Sequence, residues 1–207
     1  MSKRSLCGIM LLFVFTASAA FAQGGLTIGW KLGGNLAWNY ANSIRTAFDP
    51  DAKMIEKQFG WTLGFFASKP CFDRDALQAE LLITKRSTRS RVEENHFTSW
   101  QLTYIGIPLL YQKTLRQKED GCRSYVYAGP APGFLIDSRY TREVGGLIEE
   151  RDIEEANPFD LGITFGLGRI SAEGITLDLR YQLGLLDVGD GDAKNDAVEL
   201  HLGFVIR

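Results

Sequence analysis

The sequence lacks any long uninterrupted apolar run beyond its N-terminal region. A membrane-spanning helix needs about 20 consecutive apolar residues, and no run after residue 22 approaches that length. Only a closed β-barrel could therefore carry this part of the chain through a bilayer. Strong charge is missing as well, because the formal net charge is only −2. This balance argues against a nucleic-acid partner.

Cysteine and histidine are scarce, with three and two copies respectively. No His, Cys or carboxylate spacing typical of a metal site recurs, and His96 is interpreted as a solvated loop residue. The sequence also has no P-loop, HExxH, GxSxG or paired CxxC motif. It therefore predicts no metal, no cofactor and no catalytic residue set.

The N-terminal segment is typical of an export signal. Lys3 and Arg4 precede an apolar stretch at 6–15, and small residues end at Ala22 in an A-x-A pattern. These features predict a cleaved signal peptide at 1–22 and a mature domain at 23–207. Cys7 leaves with the signal, so Cys71 and Cys122 remain. In an oxidising compartment they could pair, and we hypothesise a disulfide, with two free thiols as the alternative.

The stretch 26–38 alternates with period two. Its even positions are large and apolar except for Gly34, whereas its odd positions are Gly, Thr, Lys, Asn or Ala. This period predicts a strand with two unlike faces. The interior of an eight-stranded barrel is just wide enough for side chains, so the smaller residues are predicted to point inward. The apolar face then points outward, toward lipid.

The same pattern recurs along the chain and predicts eight strands. They cover 26–38, 59–68, 77–86, 98–113, 123–136, 159–168, 175–185 and 197–206. The fourth strand has two apolar registers, so we expect a bulge or a change of face near Gly106. Long polar loops are predicted at 39–58, 87–97, 137–158 and 187–195, and short turns between the other strands.

The connections alternate between long and short, as in outer-membrane barrels with extracellular loops and short periplasmic turns. Three tryptophans at the loop ends of their strands, Trp38, Trp61 and Trp100, are predicted to form an outer aromatic girdle. The predicted fold is all-β, an eight-stranded antiparallel up-and-down transmembrane β-barrel in the Gram-negative outer membrane.

Several motifs occur in a characteristic order through the mature region: 29–35 (GWKLGGN), 78–81 (QAEL), 104–110 (YIGIPLL), 127–130 (YAGP), Asp160 with Gly166 and Gly168, and 179–181 (LRY). In this order the chain resembles the PorT-like outer-membrane β-barrel family of Bacteroidetes-type bacteria. The resemblance implies an eight-stranded barrel and says little about activity. The terminal sequence FVIR departs from the aromatic end of many outer-membrane proteins.

Charged residues also occupy the predicted inward face. They are Lys31, Glu80, Arg86, Asp160, Asp178, Arg180, Glu199 and His201. Opposite charges in a narrow lumen are expected to pair, because an unpaired buried charge is costly. The main interpretation is a structural salt-bridge plug. The alternatives are an ion or proton path, or an acid/base set built on Glu199 and His201.

The predicted function is non-enzymatic: a structural or interaction protein, or an accessory to envelope transport, with a filled lumen. Its expected partners are outer-membrane lipid and an extracellular or envelope protein that contacts the long loops, and the chain is expected to be a monomer. Two alternatives stay open. One is an outer-membrane barrel enzyme that acts on lipid or peptide, and the other is a secreted, soluble, lipocalin-like carrier.

Overall fold

The computed structural model describes residues 25–39, 54–72, 74–93, 96–144, 147–152, 156–187 and 194–206. The predicted signal peptide, most of the first predicted loop and the segment 188–193 lie outside the described residues, as do the side chains of Trp38 and His96. Within the described residues, no helix has the length and apolar character needed to span a membrane.

Ten β-strands make up the described architecture. They are β1 (Thr27–Asn39), β2 (Met54–Pro70), β3 (Ala76–Glu93), β4 (His96–Gly106), β5 (Leu109–Gln117), β6 (Arg123–Val144), β7 (Leu147–Asp152), β8 (Phe159–Ile170), β9 (Ile175–Gly184) and β10 (Asn195–Ile206). The sequence predicted eight. One extra strand arises because the fourth predicted strand is interrupted at Ile107 and Pro108, where proline has no N–H to donate to the neighbouring strand. The other extra strand is β7.

The strands pair antiparallel and close into a ring. β1 pairs with β2 and β10, and β9 and β8 continue from β10 to β6. On the other side β2 pairs with β3, which pairs with both β4 and β5. Both of these strands also pair with β6. β4 and β5 therefore lie end to end and occupy one position in the ring.

The two faces of the ring differ as the alternation predicted. Ile163 and Leu179 on the outward face are 41% and 46% exposed, whereas Lys31 on the inward face of β1 is 1% exposed. Trp30 also points outward and stacks on Phe204 with ring centroids 4.8 Å apart. The predicted sidedness is confirmed. The apolar residues coat the outside, which is the reverse of the arrangement in a soluble carrier with an apolar interior.

Glycines on the inward face make room for large side chains from neighbouring strands. A Cβ at Gly33 would lie 2.0 Å from Cδ2 of His201, and a Cβ at Gly29 would lie 2.4 Å from the ring of Phe66. Both contacts are too close for any side chain. The small residues of strand β1 are therefore required by the crowding of the interior.

The irregularity predicted near Gly106 is present as a shift of register between Thr103 and Tyr104, as a bulge would give, whereas the alternative, a change of face, is wrong. Trp100, Leu102 and Tyr104 in β4 are buried, and so are Leu110 and Gln112 in β5. The even positions therefore face inward throughout, and the chain is interrupted at Ile107 and Pro108 without reversing its faces.

Two of the predicted outer loops are β-structure. The segment 87–97 belongs to β3 and β4, which pair up to the bridge between Glu93 and His96. The segment 137–158 contains the end of β6 and all of β7, which pair from Arg139↔Asp152 to Val144↔Leu147. Neither segment has an apolar face of period two in the sequence, and the pattern therefore did not reveal these hairpins.

The hypothesised disulfide is absent, since both Cys71 and Cys122 are free thiols. The turns that contain them lie at different positions along β5. Ala76, just after the first turn, pairs with Gln112, whereas the second turn is closed by the pair Gln117↔Arg123. The step of five residues from Gln112 to Gln117 in β5 corresponds to roughly 17 Å along a strand, which exceeds the reach of a disulfide.

Candidate functional site

The interior of the ring holds all eight predicted inward charges. Each of them is 6% exposed or less, and His201 is 0% exposed. They come from β1, β3, β8, β9 and β10, so the strands of the ring are linked through its centre. The charges form two clusters, which we call the inner cluster and the outer cluster.

The inner cluster consists of Lys31, Glu80, Asp178 and Arg180. Lys31 Nζ lies 2.6 Å from Glu80 Oε1 and 3.0 Å from Asp178 Oδ2. The guanidinium of Arg180 donates to both oxygens of Glu80, at 2.8 Å and 3.1 Å. Two cations thus meet two carboxylates, and the cluster is neutral.

Neighbouring side chains add hydrogen bonds to the two carboxylates of the inner cluster. The hydroxyl of Tyr125 donates to Asp178 Oδ1 at 2.7 Å, and Gln78 Nε2 donates to Glu80 Oε1 at 2.6 Å. The Lys31 ammonium also lies 5.1 Å from the centre of the Phe66 ring. These bonds offset part of the cost of burying the two carboxylates, while Nε of Arg180 has no hydrogen-bond partner among the described residues.

The outer cluster consists of Arg86, Asp160, Glu199 and His201, with Gln182 and Asn195 beside it. Arg86 Nη2 lies 3.3 Å from Glu199 Oε1, while Arg86 Nη1 is 3.8 Å from Asp160 Oδ2. His201 Nε2 is 3.1 Å from Glu199 Oε2. The two Arg86 distances are longer than any between Glu80 and its two cations.

A small cavity of about 30 Å³ adjoins the outer cluster and is lined in part by Arg86, Asp160 and Glu199. This volume is enough for a water molecule with polar partners. Leaving His201 aside, the predicted inward residues comprise four carboxylates and three cations, and all seven are buried. The excess carboxylate belongs to the outer cluster, next to this cavity.

The geometry gives little support to acid/base catalysis by Glu199 and His201. His201 is fully enclosed, and its ring lies against Gly33. Within the described residues, no group of three or more His, Cys, Asp or Glu side chains is arranged to hold a metal ion. The arrangement is that of a cross-linked interior.

Sequence reasoning missed two polar contributors to the interior. Tyr125 lies in the fifth predicted strand and was not assigned to the network, yet its hydroxyl donates to Asp178. Asn195 was assigned to a loop, yet it lies in β10 and donates to Tyr104 at 3.0 Å and to Asp160 at 3.1 Å. A hydroxyl or amide facing a charged lumen is the signal that could have identified them.

The predicted aromatic girdle is partly wrong. Trp61 points outward and is 45% exposed, but Trp100 is 5% exposed and packs edge-on against Tyr140. The positions that alternate with Trp100 are the polar Ser99, Gln101 and Thr103, so this part of β4 has no apolar outward face. Phe134 and Phe159, which were not assigned to the girdle, contact each other on the outward face at a centroid distance of 5.4 Å.

Comparison with protein families gives a match over residues 21–189 to the outer membrane protein beta-barrel domain. The chain belongs to this family. The ring is therefore an outer-membrane β-barrel, and the secreted lipocalin-like carrier is excluded as an interpretation. Comparison with curated proteins gives no match.

Solved structures of two other proteins are similar to the barrel. Neisserial surface protein A (NspA) aligns with a TM-score of 0.48 and 15% identity, covering 88% of this chain and 97% of that one. Ail, the attachment invasion locus protein of Yersinia pestis, aligns with a TM-score of 0.40 and 14% identity, covering 87% and 97% of the two chains.

Proposed function

We propose that the protein crosses the outer membrane eight times, with β4 and β5 together as one crossing, and that its lumen is closed to ions. The inner cluster supports this proposal. Its four ions come from three strands, and their contacts of 2.6–3.0 Å fill the centre of the barrel. An eight-stranded barrel has no spare width around such a plug.

Planar-bilayer recording tests the closed lumen. The purified barrel should produce no steady conductance above that of the protein-free bilayer. A stable ohmic current that changes in the Glu80→Gln variant would show that ions pass the inner cluster, and the closed lumen would be wrong.

We infer that the function is carried by an outer sheet, which we define as the parts of β3, β4, β6 and β7 that extend beyond the pair Phe134↔Phe159. This pair is the last between β6 and β8, yet β6 continues for ten more residues, to Val144. At about 3.4 Å per residue the extension is roughly 30 Å long. It therefore projects well beyond the lipid-facing surface.

The far end of the outer sheet is apolar and has an open edge. Leu147 and Ile148 are 80% and 67% exposed, and Val144 beside them is also exposed. Among the described strands, β7 pairs with β6 alone. An exposed edge strand can receive a strand from another chain, and exposed apolar clusters often mark interaction sites.

The charge of β7 indicates the kind of partner. The strand contains Glu149, Glu150, Arg151 and Asp152 and is net negative. Arg151 is paired with Glu149 within the strand. The edge therefore suits an extended, positively charged segment of an extracellular or envelope protein.

Site-specific photo-cross-linking in intact cells tests this docking edge. A benzophenone amino acid in place of Ile148 should give a discrete protein adduct. Phe72, which is 73% exposed in the short turn at the other end, is the matched control position and should not give that adduct.

Charge variants make the cross-linking test specific. Glu149→Gln/Glu150→Gln should abolish the adduct, whereas Glu119→Gln/Glu173→Gln, with the same change of charge at the opposite end, should preserve it. The docking edge is wrong if no protein adduct forms at position 148 or if the first double variant leaves it unchanged.

We also propose a family, a cleaved signal peptide and a non-enzymatic role for this protein. The motifs described above support a PorT-like member from a Bacteroidetes-type bacterium, and 1–22 supports a cleaved signal peptide. The enclosure of His201 supports a non-enzymatic role. N-terminal sequencing of the protein from the outer membrane should begin at Gln23, and an uncleaved N-terminus would contradict the signal peptide.

A further inference from the structure

The short-turn end of the barrel carries a row of basic residues on its outward face. In the strand register Arg116 lies opposite Ser124, and Ser124 lies opposite Arg169. Three adjacent strands therefore place two arginines on either side of a serine. Lys118, in the turn that follows β5, lies beside this row.

These residues surround a concavity. A cavity of about 160 Å³ is lined by Arg116, Lys118, Cys122, Ser124 and Arg169. The nearby carboxylate of Asp120 accepts the backbone N–H of Cys122 at 2.9 Å. That hydrogen bond holds the pKa of Asp120 below its ordinary value, so Asp120 is charged and offsets one cation. The three cations of the cavity still outnumber it.

The position of the row relative to the apolar surface identifies the ligand class. The next outward row toward the membrane centre contains Val126 and Leu167 together with Lys113, and the row beyond it contains Tyr111, Ala128 and Phe165. Successive rows on one face are two residues, or about 7 Å, apart. Bilayer headgroup regions extend about 5–7 Å beyond the hydrocarbon core on each side. The basic row therefore lies at the depth of lipid phosphates.

The neighbouring cation Lys113 provides a contrast. Its ammonium is 4.0 Å from Asp75, which also accepts the N–H of Thr114. Lys113 is thus engaged by a carboxylate of the barrel, whereas the cavity brings cations from two strands and a turn together around a hydroxyl. Two guanidinium groups and a hydroxyl are donors suited to phosphate oxygens.

We propose that Arg116, Ser124, Arg169 and Lys118 bind the phosphate of an anionic phospholipid in the leaflet that surrounds the short-turn end. This inference rests on the proposed crossing of the membrane. The phospholipid is favoured over free phosphate because the cavity opens on the outward face and borders the apolar rows.

Native mass spectrometry of the barrel in non-ionic detergent tests the site. The wild-type protein should retain one phosphatidylglycerol in preference to phosphatidylcholine. Because each basic side chain at a membrane surface contributes a factor of about five, Arg116→Gln/Arg169→Gln should weaken retention by about thirtyfold. The charge-preserving variant Arg116→Lys/Arg169→Lys should keep most of it.

Two controls separate the site from net charge and folding. Arg139→Gln/Arg151→Gln makes the same charge change on the outer sheet and should leave lipid retention unchanged. Heat-modifiable gel migration reports on the barrel itself. If the wild-type protein shows no heat-dependent shift in migration, the membrane crossing is contradicted. If the shift is present but the wild-type protein retains no lipid, only the headgroup site is contradicted.

Three results would overturn the proposal. They are equal retention of phosphatidylcholine, unchanged retention in Arg116→Gln/Arg169→Gln, and binding of inorganic phosphate without retention of phosphatidylglycerol. The last result would assign the basic row to a free anion.

Discussion

The inner and outer clusters lie in the same lumen but differ in charge balance and contact. In the inner cluster Glu80 is held between Lys31 and Arg180 at 2.6–3.1 Å. In the outer cluster Arg86 faces Glu199 at 3.3 Å and Asp160 at 3.8 Å, beside a cavity of about 30 Å³. Charged residues of the same type, all buried, are therefore expected to contribute unequally to stability.

The largest effect is expected at Glu80. Glu80→Gln keeps the shape of the side chain but leaves the inner cluster with two cations and one carboxylate. Removing one partner of a buried pair costs about 3–5 kcal/mol, so the free energy of unfolding should fall by that amount. Urea unfolding in phospholipid vesicles measures the change, and a loss below about 1 kcal/mol would contradict the role of this cluster.

A second substitution should partly reverse this loss. Lys31→Met removes one cation, so the double variant Glu80→Gln/Lys31→Met has one cation and one carboxylate again. We expect a coupling energy of about 1–3 kcal/mol in favour of the double variant. Additive losses in the double-mutant cycle would show that charge balance does not govern the cluster.

Glu199→Gln is the matched substitution in the outer cluster, and its effect should be small. The outer cluster has two carboxylates facing Arg86, so Asp160 continues to balance the cation after Glu199 is neutralised. We expect a loss of less than about 1 kcal/mol, within the range of an ordinary hydrogen-bond change. A loss equal to that of Glu80→Gln would remove the distinction between the clusters.

The smallest effect is expected outside both clusters. Cys71→Ser/Cys122→Ser should change the free energy of unfolding by no more than about 0.5 kcal/mol, because the thiols are not bonded. Both cysteines should be alkylated without prior reduction. A shift in gel mobility on reduction would restore the disulfide hypothesis.

The inward charges could be predicted from sequence because alternation of period two specifies the face of every residue in a lipid-covered strand. Lys31, Asp178 and Arg180 followed directly from that rule. The partners within each cluster could not be predicted, because they depend on the register between strands that are distant in sequence, such as β3 and β9.

The alternation rule failed in strand segments that do not have one apolar and one polar face. The position of Trp100 at the loop end of its strand predicted a place in the outer girdle. The residues that alternate with it are the polar Ser99, Gln101 and Thr103, and Trp100 is buried in the interior. The hairpin of β6 and β7 was missed because its sequence has no apolar face of period two. Pro108 indicated an interruption, but not that β4 and β5 keep the same faces.

Fluorescence quenching of Trp30 tests the sidedness of the barrel most directly. A variant that keeps Trp30 and has phenylalanine at the other three tryptophan positions would be folded into vesicles whose acyl chains are brominated. Because Trp30 lies on the outward face of β1, its emission should be strongly quenched relative to vesicles of unbrominated lipid. Unchanged emission in a heat-modifiable barrel would place Trp30 in the lumen and contradict the assignment of the two faces.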